Sequence, residues 1–105
     1  MRLQANEVNA IAEAARDAFM PGTTVLLFGS RVDDSKRGGD IDLLVETPET
    51  MPPAELVCRR TLFVSRIYRM LDEQHIDVII ATQNQPDSRE VVATAKREGI
   101  QVAQV

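Results

Sequence analysis

Apolar residues recur along the chain at two spacings, and the switches between them divide it into elements. From Asn6 to Phe19, "NEVNAIAEAARDAF", the residues Val8, Ile11, Ala15 and Phe19 fall on one helical face, with Asn6 placed to cap it. Pro21 and Gly22 interrupt the pattern. Thr24 to Phe28, "TVLLF", is a short apolar run closed by Gly29, which predicts a buried strand. "GSRVDDSKRGG" reads as a loop with one helical turn after Ser30, and "DIDLLVE" as a second strand. Pro53 suits the first turn of a long helix, where its missing N–H costs nothing. That helix runs to Leu71 and carries Leu56, Phe63, Ile67 and Leu71 on one face. "IDVIIA", from Ile76 to Ala81, predicts a third strand. "DSREVVATAKREG" predicts a last helix, capped by Asp87 or Ser88 and stopped at Gly99, and "IQVAQV" adds a short edge strand. Helices and strands alternate without a repeat or a low-complexity stretch. The fold class is therefore α/β, with helices packed on a small sheet.

Composition narrows this picture. With 105 residues, 44% hydrophobic and 27% charged, the chain reads as one soluble globular domain spanning 1–105. Twelve basic residues against 16 acidic ones leave a net charge of −4, so a direct nucleic-acid footprint is not expected. No apolar run reaches the length of a bilayer span, and the amphipathic start lacks a signal core, which predicts a cytoplasmic protein without a membrane partner. The one cysteine, Cys58, excludes an intramolecular disulfide. It reads as a small packed residue, no base being evident near it. Arg59 and Arg66 read as a solvated helix face, and His75, just before the third strand, is given no role.

Two acids disturb the second strand. Side chains alternate along a strand, so Asp40 and Asp42 share a face and lie roughly 7 Å apart along it. Bare carboxylates there repel each other and resist desolvation. They can keep a proton, or bind a hard divalent cation that prefers oxygen ligands. Taken alone, the pair equally fits a solvated strand face. Asp77 is a third acid in an apolar strand. If its strand lies beside "DIDLLV", the three carboxylates form a cluster suited to two Mg²⁺ ions in phosphoryl transfer. Upstream, Gly29 permits a sharp turn and close approach of a ligand. If a helical turn begins at Ser30, its free N–H groups with the cations Arg31, Lys36 and Arg37 suit a triphosphate, although the Gly-Ser dipeptide alone more often marks an ordinary turn. Asp33 and Asp34 read as solvated acids.

Gly29-Ser30, then nine residues, then Asp40-Ile41-Asp42 resembles the signature of the DNA polymerase beta nucleotidyltransferase superfamily. The whole chain is similar to its minimal nucleotidyltransferases: a leading helix, "LFGSR", "GDIDLLV", a long helix, the third Asp strand and "REGIQV". The resemblance implies a polymerase beta-like nucleotidyltransferase fold, a small mixed β-sheet with helices on it. It implies nucleotide binding by Gly29, Ser30 and Arg31. Asp40, Asp42 and Asp77 become the catalytic acids and the metal ligands, for two Mg²⁺ ions with ATP as substrate. The chain departs from the pattern at Val32-Asp33-Asp34, where many minimal members have a small residue, a basic residue and a glycine. The implied activity moves AMP to a hydroxyl, with a tyrosine of a partner HEPN-domain toxin as acceptor, so that the protein acts as an antitoxin. Two alternatives stay open: a non-catalytic antitoxin that neutralises its partner by docking, and a small-molecule nucleotidyltransferase. The oligomeric state is left open too.

Overall fold

The computed structural model describes residues 3–29, 40–71 and 75–105. Its elements follow in the order α1 (Ala5–Ala18), β1 (Thr24–Phe28), β2 (Ile41–Thr47), α2 (Pro53–Met70), β3 (Ile76–Thr82), α3 (Glu90–Glu98) and β4 (Ile100–Gln104). The strands make one mixed sheet in the order β3-β2-β1-β4. β1 pairs antiparallel with both β2 and β4, while β2 and β3 run parallel. The parallel pair needs a crossover connection, and α2 supplies it. The expected α/β class with a small mixed sheet is what forms.

Alternation sorts the apolar side chains onto the two faces of the sheet. Val25, Leu27, Ile41, Leu43, Val45, Val78 and Ile80 pack with Ile11, Ala14 and Ala15 of α1 and with Phe63 and Ile67 of α2. The opposite face is smaller: Phe28, Leu44 and Ala81 pack with Val92 and Ala95 of α3, flanked by Leu26 and Ile79. Asp42 and Asp77 belong to this second face, two positions before Leu44 and Ile79.

β3 is an edge strand, and its outward carbonyl groups would be open to pairing with another chain. Two arginines occupy them: Arg60 Nε donates to the carbonyl oxygen of Val78 (3.1 Å) and Arg89 Nη2 to that of Ile80 (2.8 Å). Arg89 is held in turn by Asp87, whose carboxyl these bonds lower to a pKa of about 2.

Several local expectations shift. Gln4, not Asn6, stands at the start of α1, where its backbone N–H donates to Glu7 Oε1 (3.0 Å). Arg89 precedes α3, so neither Asp87 nor Ser88 caps it; Asp87 accepts instead from the backbone N–H of Arg89 (3.0 Å). Gly99 does end α3, because a side chain there would collide with the carbonyl oxygen of Ala95. Arg59 and Arg66 do not form a simply solvated face. Arg59 pairs with Glu55 (2.9 Å) and donates to the carbonyl oxygen of Ala18 (3.0 Å), and Arg66 lies 3.9 Å from Asp17, so both tie α2 to α1. Cys58 is exposed, not packed. The predicted turn after Ser30 lies outside the described residues. No helix among those described is long and apolar enough to cross a membrane.

Candidate active site

The pairing of three strands brings the acids together. Asp42 sits opposite Phe28 in the β1–β2 ladder and beside Asp77 in the β2–β3 ladder. Neighbouring side chains in register project from the same face, so the Asp42 and Asp77 carboxyls meet. Asp40 lies one residue before β2 rather than inside it. It still reaches the cluster, because the Ile41 N–H donates to the carbonyl oxygen of His75 (2.9 Å), which locks the starts of the two strands side by side. The three sequence-predicted acids therefore converge. Ser30 and Arg31, the other predicted nucleotide contacts, and Val32, Asp33, Asp34, Lys36 and Arg37 lie outside the described residues.

A fourth group joins them. His75 Nδ1 lies 3.3 Å from Asp40 Oδ1, and its Nε2 lies 3.7 Å from Asp77 Oδ1. Donor atoms of Asp40, His75 and Asp77, all exposed residues, fall within 4.8 Å of one another. Sequence reasoning passed over His75. The signal was parity: His75 and Asp77 are two apart across Ile76, as Asp40 and Asp42 are across Ile41, so both pairs face one way.

Among the described residues, the electrostatics of the site are dominated by negative charge. Burial pushes the Asp42 carboxyl above its ordinary pKa, and the charges of Asp77 and Asp40 push it further, along with a hydrogen bond to Asp77. His75 is raised as well, by its hydrogen bond to Asp40 and by the charge of Asp77. A partly buried carboxylate with two acidic neighbours is relieved by a cation. Oxygen donors of this kind fit a hard divalent ion, so the residues present match the expected Mg²⁺.

Gly29 completes the arrangement. Its φ of 79° lies in the left-handed region, and a Cβ there would collide with Asp42 Oδ2. The glycine thus allows the left-handed backbone at the end of β1 and leaves room for the Asp42 carboxylate. Gly29→Ala is expected to lower stability by about 1–2 kcal/mol for the backbone conformation alone. It also displaces Asp42, so calorimetric titration should show weakened divalent-ion binding. Full retention of ion binding would separate the turn from the acid.

No protein-family model and no curated protein matches the chain. Among solved structures, it is similar to a chain of the complex between tri-AMPylated Shewanella oneidensis HEPN toxin and MNT antitoxin, with a TM-score of 0.60 and 22% identity over 98% of this chain and 74% of that one. At this identity the likeness is one of fold, and the fold class agrees with the expectation from the sequence: a small mixed sheet with helices packed on it.

Proposed function

We propose that the protein is a metal-dependent nucleotidyltransferase that moves AMP from ATP to a hydroxyl, and that it acts as the antitoxin of a HEPN-domain toxin by modifying a tyrosine on it. The observation that carries this reading is the convergence of Asp40, Asp42 and Asp77 beside the left-handed Gly29 turn. Gly29 and the Asp40–Asp42 pair are the two halves of the motif, and the fold brings the distant Asp77 to them. Similarity to a chain of a toxin–antitoxin complex supports the choice of partner.

In this reading Asp40, Asp42 and Asp77 hold two Mg²⁺ ions. When bound, these lower the pKa of the acceptor hydroxyl and neutralise charge on the departing pyrophosphate. Asp42, on an inner strand and in the space left by the absent side chain of Gly29, sets the acids beside the residue that begins the nucleotide-binding motif. Gly29, with no side chain, lets the backbone approach those phosphates closely, and Ser30 and Arg31 follow as the remaining nucleotide contacts. Exposure of Asp40 and Asp77 leaves the site open to an acceptor as large as a protein.

The test is direct. The protein, ATP, Mg²⁺ and a cognate HEPN-domain protein are incubated together, and the HEPN chain is weighed by mass spectrometry. The expected result is the mass of one or more AMP groups, mapped to tyrosine by fragmentation. A neutralised toxin without an adduct would replace this reading with docking alone. An adduct on a small-molecule hydroxyl, with the HEPN chain unmodified, would move the acceptor class.

A further inference from the structure

We propose that His75 is itself a ligand in the acidic site, and that its nitrogen turns the site from Mg²⁺ toward a first-row transition ion such as Mn²⁺. The inference rests on the metal-dependent reading above and specifies which ion that reading uses.

The distances come first. Two ligands on one octahedral ion, each about 2.1 Å from it, lie about 3 Å apart when adjacent and about 4.2 Å apart when opposite. His75 Nδ1 stands 3.3 Å from Asp40 Oδ1, between those limits, while the contact with Asp77 Oδ1 at 3.7 Å is made by the other ring nitrogen, Nε2, so a single ion shared with Asp40 takes Nδ1. The three donors lie within 4.8 Å of one another, a spread wider than the roughly 4.2 Å of opposite ligands, so the exposed side chains must close inward to share one ion.

The backbone is placed for the role. The carbonyl oxygen of His75 accepts the Ile41 N–H at 2.9 Å, and Ile76 follows as the first residue of β3, in register with Ile41. The imidazole therefore starts from a point fixed against the strand that bears Asp42. It is also exposed, so a hydrated ion reaches it without any rearrangement of the core.

The donor chemistry decides the ion. Mg²⁺ favours oxygen ligands and gives up its water reluctantly, whereas imidazole nitrogen suits transition ions. Three carboxylates alone would leave Mg²⁺ as the expected occupant. Adding the one imidazole of the chain makes a mixed nitrogen–oxygen set, whose nitrogen a first-row transition ion accepts more readily than Mg²⁺ does, and Mn²⁺, which shares the preference of Mg²⁺ for carboxylates, is the member of that row suited to the remaining oxygens.

The test uses the full chain and each metal alone at pH 8. Calorimetric titration with MnCl₂ and MgCl₂ is run on the wild type, His75→Gln and Asp42→Asn. Pulsed electron paramagnetic resonance of the Mn²⁺-loaded wild type reads nitrogen coupling directly, whether or not the variants fold. We expect nitrogen coupling in the wild type. We expect His75→Gln to lose Mn²⁺ affinity about tenfold or more with little change for Mg²⁺, and Asp42→Asn to lose both ions. Wild-type binding of both ions without nitrogen coupling, or an equal effect of His75→Gln on both, would overturn the role of His75 and leave the metal-dependent reading standing. No binding of either ion by the wild type, with or without ATP, would overturn both.

Discussion

Asp42→Asn is expected to abolish nucleotidyl transfer while making the metal-free protein more stable. In the proposed reading, losing one of the carboxylates that would hold the ions removes several kcal/mol of stabilisation from the transition state, a fall of about a thousandfold or more in rate. The stability effect has the opposite sign, and it follows from the electrostatics. Burial first, then the charges of Asp77 and Asp40, raise the Asp42 pKa in the folded chain. The folded state therefore binds its proton more tightly than the unfolded state does. Stability contributed at this position is complete below the ordinary carboxylate pKa of 3.8 and falls as pH rises through the folded value. Asparagine carries no charge to desolvate or repel. The variant should melt higher than the wild type at pH 8, and the difference should vanish below about pH 4. Divalent ions should raise the wild-type midpoint but not that of the variant, since binding to the native state alone stabilises it. Melting curves across pH, with and without Mg²⁺ or Mn²⁺, read all three effects. A lower midpoint for the variant at pH 8 would mean that the carboxylate makes structural contacts worth more than its repulsion.

Phe63→Ala is expected to be the most damaging single change to the fold. Phe63 is fully buried and meets Phe19 edge to face, with ring centroids 5.2 Å apart at 63°. Its ring belongs to the same cluster as α1 and the inner face of the sheet, so it joins three parts of the molecule. Truncation removes the transfer energy of the ring and leaves a cavity, a loss of about 3–5 kcal/mol. A domain of this size is stabilised by roughly 5–15 kcal/mol in all, so the variant approaches the unfolding threshold at physiological temperature. Urea unfolding measures the shift. Val57→Ala on the same helix is the control: Val57 is 60% exposed, and its loss should stay within about 0.5 kcal/mol. A loss below about 1 kcal/mol for Phe63→Ala would mean that the two helices collapse to refill the space.

The elements themselves were legible in the chain because periodicity is local. The spacing of Ile11, Ala15 and Phe19, or of Phe63, Ile67 and Leu71, states which side of a helix must be covered, and those residues are buried. The run from Ile76 to Ala81 needed only one more residue, Thr82, to become β3. Caps were read less well. Asn6 and Asp87 have the right chemistry, but α1 is capped two residues earlier, where the Gln4 N–H donates to Glu7, and Asp87 accepts from the N–H of Arg89, the residue that precedes α3. Cys58 and Arg59 were misplaced for a related reason: a helix pattern gives the direction of a side chain but not what stands there. Cys58 faces outward, while Arg59 finds the end of α1.

The candidate site divides in the same way. The sequence by itself determined that Asp40 and Asp42 share a face and that Gly29 ends a buried strand, because alternation and turn chemistry act over a few residues. Only the tertiary structure decided that β3 lies parallel to β2 with Asp77 beside Asp42, that the Asp42 carboxylate occupies the space a side chain at Gly29 would need, and that His75 stands between Asp40 and Asp77. Strand order and register are set by contacts between segments far apart in the chain, where burial of both sheet faces must be satisfied at once. No local pattern carries that information.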